Sequence, residues 1–184
     1  MLNIKDINIS KDEYYTPSYA IRPILKYLNQ NMTIWLPFDT KESNFYKVLS
    51  EQGHTIINGH ISEGKDFFEQ QLPENVDCVV SNPPYSKLTE ILEKLYMHDV
   101  PFALLVSVFF LFDSKKRFDL MKDDNDISIL YLYPRVQYTT PDGKINKNTM
   151  WQSVYLCRKM NMSNQLEFAY VNRNHDTDIE GFCE

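Results

Sequence analysis

The feature that most restricts how this chain can fold is an apolar run that passes straight into paired prolines. Asp77-Cys78-Val79-Val80-Ser81 leads directly into Asn82-Pro83-Pro84-Tyr85, and a helical pattern follows at once. Successive prolines fit neither a central strand nor a helix interior, so they must form the turn between the two. Beyond them, Leu88, Ile91, Leu92 and Leu95 recur at helical spacing, which predicts a helix over about residues 87–96. A buried strand, a stiff turn and a helix make half of a β-α-β unit.

The rest of the chain repeats that alternation. Ile21, Ile24, Leu25 and Leu28 share a face, predicting a helix from Tyr19 to Leu28. Thr33 to Leu36 reads as a strand, Asn44 to Gln52 as a helix stopped by Gly53, and Thr55 to Asn58 as a second strand. Phe102 to Val106 is a further strand running into a loop, and Ser114 starts a helix through Lys122. Ile127 to Tyr133 and Ser153 to Leu156 follow as strands joined by a long loop with a Pro141-Asp142-Gly143 turn. The fold class expected is therefore α/β: a mostly parallel sheet with an antiparallel edge hairpin and helices on both faces. Residues 1–160 form one domain in this reading. Residues 161–184 are a polar C-terminal extension, with one further strand at Leu166 to Val171 and a loose tail.

Composition narrows the class of protein. Hydrophobic residues make up 43% of the chain and aromatics 14%, enough for a substantial core. The longest apolar stretch, Pro101 to Phe112, is too short to cross a bilayer, so no membrane partner is expected. Met1 to Asp6 has neither the charged start nor the apolar run of a signal peptide. Cys78, Cys157 and Cys183 are far apart and form no CxxC pair, which suits a reducing, cytoplasmic setting. Histidines 54, 60, 98 and 175 lack ligand spacing, so no metal is expected. The net charge of −6 argues against coating nucleic acid by bulk charge. Its distribution is uneven, however: residues 86–159 carry 11 Lys/Arg against 9 Asp/Glu, including Lys115-Lys116-Arg117. Lys115 and Arg117 are candidate substrate contacts, although a charged helix face would look the same.

In open α/β sheets, ligands bind beyond the carboxyl ends of the strands. Both Pro37-Phe38-Asp39 and Asn82-Pro83-Pro84-Tyr85 fall at such ends. The second segment suits one kind of chemistry. An aromatic amine such as the N6 of adenine is a poor nucleophile, because its lone pair is delocalised into the ring. An amide oxygen from Asn82 and a carbonyl from Pro83 can accept its two hydrogens and orient that lone pair, with Pro84 stiffening the turn. Tyr85 offers a face on which a base can stack, the ring rather than the hydroxyl being the working part.

These residues resemble the class I S-adenosylmethionine-dependent amino-methyltransferases, with motifs ordered as in the gamma group of DNA N6-adenine enzymes. Tyr15-Thr16-Pro17 matches the segment before the family's first helix. Leu36-Pro37-Phe38-Asp39 aligns with its strand-one motif, Asp66-Phe67 with its acidic pair, and Asn82 to Tyr85 with its catalytic tetrapeptide. Arg135-Val136-Gln137-Tyr138 and Trp151-Gln152-Ser153-Val154 resemble the hairpin whose aromatic sandwiches a flipped base. Tyr138 is the first choice for that aromatic and Trp151 the second. The short phage-encoded methyltransferase-like members look most similar, and the resemblance spans roughly residues 12–160.

The resemblance implies a Rossmann-like fold, S-adenosyl-L-methionine as cofactor, and an adenine-containing nucleic acid, DNA first, as substrate. It implies a cofactor site at Tyr15, Thr16, Pro17, Pro37, Phe38, Asp39, Asp66 and Phe67. Three departures stand out. No glycine lies between Pro37 and Phe45, Leu36 replaces an acid, and Asn58-Gly59-His60 replaces another. There is also no room for a large target-recognition domain, so loops or a protein partner would supply recognition. RNA or a protein glutamine amide remain alternative substrates, and an inactive, methyltransferase-like binding or inhibitor protein is the alternative of a different class.

Overall fold

The computed structural model describes residues 15–140, 144–145 and 152–173. Trp151, the Pro141-Asp142-Gly143 turn and Cys183 lie outside the described residues. The strands are β1 (Thr33–Leu36), β2 (Thr55–Asn58), β3 (Cys78–Ser81), β4 (Phe102–Ser107), β5 (Ile127–Tyr133), β6 (Ser153–Arg158) and β7 (Leu166–Tyr170). They form one seven-stranded sheet in the order β2-β1-β3-β4-β6-β5-β7. Strands β1 to β4 are mutually parallel, β6 runs antiparallel to both β4 and β5, and β7 is parallel to β5. This is the Rossmann-like architecture of class I methyltransferases, reached from the alternating pattern.

The antiparallel pair has a finer arrangement than an edge hairpin. β6 inserts between β4 and β5, and β7 forms the outer edge. All six residues of β6 are buried, as insertion between two strands requires. Arg158 is tolerated there because Asp124 (2.7 Å) and Asp99 (2.8 Å) neutralise it.

Among the described residues five α-helices flank the sheet: α1 (Ser18–Ile21), α2 (Asn44–Glu51), α3 (Leu88–Met97), α4 (Val108–Leu111) and α5 (Lys115–Met121). Alternation along each strand divides the core into two layers. Ile34, Leu36, Cys78, Val80, Ala103 and Leu105 pack with α1 and α2. Trp35, Val79, Phe102, Leu104 and Val106 pack with α3, Leu111 and Met121. The helix read over Tyr19 to Leu28 is instead α1 followed by a 3-10 turn at Arg22–Tyr27. Pro23 accounts for the change, since it has no N–H to continue the α-helical ladder. Gly53 adopts φ 84° just past α2, a left-handed conformation that glycine takes without steric cost. Among the described residues no helix is long and apolar enough to cross a membrane.

Candidate functional site at the carboxyl ends of β1 and β3

β1 and β3 are adjacent and parallel, so the segments following them emerge side by side. The short β1–β3 spacing brings Asp39 to Ser81, whose Oγ donates to Asp39 Oδ2 at 2.5 Å. Ser43, the N-cap of α2, is a second side-chain partner of that carboxylate. Asp39 is buried, and burial pushes its pKa up to about 6 against the opposing pull of the two serines. Its carboxylate therefore faces inward as a clasp between β1, β3 and α2. Pro37 is buried and Phe38 is half-buried. No residue from Pro37 to Ser43 takes a positive φ, so this loop makes its turn without glycine.

Asn82 is oriented by the N-terminal segment. Its Nδ2 donates to Thr16 Oγ1 at 3.3 Å, and Thr16 is itself buried. Thr16 O in turn accepts from Asn44 Nδ2 at 2.8 Å, fixing Tyr15-Thr16-Pro17 against the start of α2. Tyr15 exchanges backbone hydrogen bonds with Thr139 at 2.8 and 3.1 Å. With its nitrogen held by Thr16, the amide turns its oxygen the other way. Asn82 Oδ1 is buried and has no hydrogen-bond partner. A buried unpaired acceptor costs about 1–3 kcal/mol, so this atom is either strained or intended for a donor that arrives from outside.

Pro83 is buried, and Pro84 N-caps a 3-10 turn at Tyr85–Lys87 that leads into α3. The Tyr85 ring is half-buried with its centroid 5.4 Å from that of Phe110 on α4. Its hydroxyl hydrogen-bonds to Tyr138, and Tyr138 lies 2.8 Å from Ser153 Oγ. Burial holds both phenols above their ordinary range. The Tyr85 hydroxyl is thus engaged, contrary to the reading that gave it no part. Tyr138 sits in the core with only 6% of its surface exposed, behind Tyr85 rather than across an open gap from it. A buried ring of this kind has no free face for a base.

Asp66 and Phe67 occupy the loop between β2 and β3. Phe67 is buried, stacked on Trp35 at 5.4 Å and tilted against Phe38 at 5.0 Å. Asp66 Oδ1 accepts from Phe68 N at 2.8 Å, shaping its own turn. Lys94 of α3 clamps that turn through the carbonyls of Phe67 (2.6 Å) and Gln70 (2.5 Å), with its ammonium over the Phe67 ring. Nothing in the sequence spacing pointed to Lys94, since the residues it holds lie more than twenty positions away. Ser81 and Phe110 were missed for the same reason.

The basic cluster is placed differently from the expectation of substrate contacts at Lys115 and Arg117. Arg117 is buried, donating to Thr89 Oγ1 at 2.5 Å and to Asp113, which ties α5 to α3. Lys115 is exposed and paired with Asp119, and Lys116 with Glu93. The guanidinium is spent on packing, and the lysines face solvent.

No family profile and no curated protein matches the chain. Solved structures do. A type I restriction-modification system methyltransferase subunit from Streptococcus thermophilus aligns with a TM-score of 0.54 at 16% identity, covering 88% of this chain and 48% of its own. A modification subunit of a putative type I restriction enzyme from Vibrio vulnificus aligns with a TM-score of 0.53 at 12% identity, covering 94% and 50% respectively. The chain therefore spans about half the length of each, and at these identities the likeness is one of fold.

Proposed function

We propose that this chain is an S-adenosyl-L-methionine-dependent methyltransferase acting on an exocyclic amino group, the N6 of an unpaired adenine in DNA. The observation that carries the reading is Asn82 Oδ1, a buried acceptor without a partner at the carboxyl end of β3. An incoming amino group supplies the missing donor. The Pro83 carbonyl takes its second hydrogen, and the lone pair is left pointing along the transfer direction. Tyr85 bears one face of the base, with Tyr138 and Ser153 fixing it from behind. An aromatic of α4 covers the other face, and Lys115 lies near enough in sequence to α4 to meet a backbone phosphate.

The residues present suit the cofactor. Thr16 is held against Asn82 beyond the carboxyl end of β3, and Phe38, beyond that of β1, packs on Phe67 next to Asp66. Tyr15-Thr16-Pro17, the backbone of Pro37-Phe38-Asp39 and the Asp66-Phe67 turn would hold it. When bound it supplies an electrophilic methyl group. The Asp39 and Phe67 side chains face inward, so their contribution is to shape the backbone. Two solved proteins of this fold are named as methyltransferase or modification subunits of restriction systems, which supports a DNA substrate and a partner protein that supplies recognition.

The inward clasp of Asp39 favours a second reading, a methyltransferase-like binding protein without cofactor affinity. Calorimetry with S-adenosyl-L-methionine separates the two. Labelled methyl transfer into single-stranded and duplex oligonucleotides then tests the substrate. Single strands should be preferred, because extruding a base costs a few kcal/mol. Absence of binding at millimolar cofactor would sink the enzyme reading. Transfer to RNA or to a glutamine-containing peptide in preference to DNA would reassign the substrate.

A further inference from the structure

The outer edge of the sheet carries an apolar face that no helix of the described residues covers. Exposed surface amounts to 53% for Leu166, 70% for Phe168 and 68% for Tyr170 on β7, and 63% for Tyr133 on β5. Their rings already pair across the two strands, Tyr131 with Phe168 at 5.8 Å and Tyr133 with Tyr170 at 6.2 Å. With an aromatic side chain offering roughly 150–250 Å², these four residues expose on the order of 500 Å². A patch of that size is about the largest that a monomeric protein carries, and such patches often serve a function.

The backbone shows what kind of group can extend this face at its edge. Ile129 N donates to Gln165 O and Val171 N to Tyr133 O, so the odd-numbered residues of this segment turn their peptide groups toward β5. By alternation, the N–H and C=O of Leu166, Phe168 and Tyr170 point outward. Among the described residues no strand pairs with that edge. The edge also lacks the usual protections: β7 holds no proline and no lysine, and its one charge, Glu167, lies on the other face with Tyr27 and Lys26.

We propose that β7 is a self-association edge, on which two copies of this chain pair antiparallel about a twofold axis at Phe168. In that register Leu166 meets the partner's Tyr170, and all three outward-facing residues gain backbone partners. Each row of aromatic side chains continues across the axis. Glu167 falls opposite the partner's Ala169, so the two like charges sit diagonally and not directly opposite each other. The contact is isologous, which one strand against itself requires. A single strand pair lies at the low end of specific interfaces, so the dimer is a weak one. It does not depend on the proposed enzyme activity.

Sedimentation of the full chain at tens of micromolar tests this. The expected mass is twice 21.8 kDa, and Phe168→Asp, which sets two carboxylates face to face at the axis, returns it to 21.8 kDa. Amide hydrogen exchange reads the same edge without a variant. Leu166, Phe168 and Tyr170 should slow as concentration rises, while Glu167 and Ala169, already bonded to β5, should not change. A wild-type chain that stays monomeric, covered by another protein or by nothing, overturns the proposal. So does a dimer in which neither Phe168→Asp nor concentration alters those amides. Should Phe168→Asp fail to fold, the wild-type exchange pattern decides.

Discussion

Ser81 donates its hydroxyl hydrogen to the Asp39 carboxylate across 2.5 Å, tying the last residue of β3 to the loop that follows β1. Both residues are buried, and Ser43 binds the same carboxylate from the start of α2. A charge in that position is held at a cost, because the two serine hydrogen bonds only partly replace the water that burial removes. The consequence is a pH dependence of folding that runs opposite to that of an ordinary salt-bridged carboxylate.

Asp39 has its pKa raised to about 6 from 3.8, chiefly by burial. The native chain therefore keeps this proton where the unfolded chain has released it, and stability falls as pH rises from about 4 through 6. The loss is on the order of 3 kcal/mol at most. Asp39→Asn keeps an acceptor for Ser81 and removes the charge. It should be more stable than wild type at pH 7.5 and close to it at pH 4, compared by urea unfolding. Equal effects at the two pH values would contradict the assignment.

Tyr85 and Tyr138 give a second test, in which the hydroxyl has a role. Tyr85→Phe loses the hydrogen bond that fixes the ring in place, worth about 1 kcal/mol. Steady-state kinetics on an oligonucleotide should show a KM raised several-fold, with kcat changed less. Tyr85→Ala removes the ring as well and loses a further 1–3 kcal/mol or so of stacking. Tyr138→Phe should resemble Tyr85→Phe, because it breaks the same chain toward Ser153. A Tyr85→Phe protein with wild-type KM would return the working part to the ring face alone.

The Asp66–Gln70 turn depends on Lys94. Lys94→Met keeps most of the stem and loses the charged donor to two carbonyls, each such bond worth about 1.5–3 kcal/mol. Thermal unfolding should shift down, and calorimetric affinity for S-adenosyl-L-methionine should fall more than for a control substitution at exposed Lys115. Lys94→Arg restores the charge but not the compact geometry, and should recover stability only in part. If cofactor affinity is unchanged while stability drops, the turn lies outside the cofactor site.

How far the sequence revealed these features follows from the distance between interacting residues. The alternation of strands and helices could be read because each element is a local pattern, as in the Leu88–Leu95 face or the Cys78–Ser81 run. The place of β6 between β4 and β5 could not. Its ends, Ser153 and Arg158, are polar residues that only their tertiary partners Tyr138, Asp124 and Asp99 make compatible with burial. α4 was hidden in an apolar run whose length and composition fit a strand entering a loop. At the site, the Asn-Pro-Pro-Tyr turn was legible as a contiguous motif. The clasp at Asp39, the clamp at Lys94 and the support behind Tyr85 join residues 24 to 53 or more positions apart, and no spacing rule reaches that far. Arg117 illustrates the reverse error: a basic triplet in sequence became one buried tie and two paired surface lysines.

Asn82 is where stability and activity should part. Its Oδ1 is buried and unpaired, a state that disfavours folding by about 1–3 kcal/mol, while its Nδ2 bond to Thr16 returns only part of that. Asn82→Ala removes both atoms. The folded chain should therefore be no less stable than wild type by urea unfolding. Methyl transfer, on the proposed mechanism, needs the missing acceptor, and its loss should lower kcat by about 10²–10³. Cofactor affinity should change little, since the amide oxygen serves the substrate amine. Asn82→Asp is the sharper comparison, because it keeps the acceptor and introduces a buried charge. It should cost stability at neutral pH, and it should retain more activity than the alanine variant wherever the chain remains folded. An Asn82→Ala protein that is both markedly destabilised and catalytically normal would mean that the amide is a structural strut, and the amino-group reading would lose the atom on which it stands.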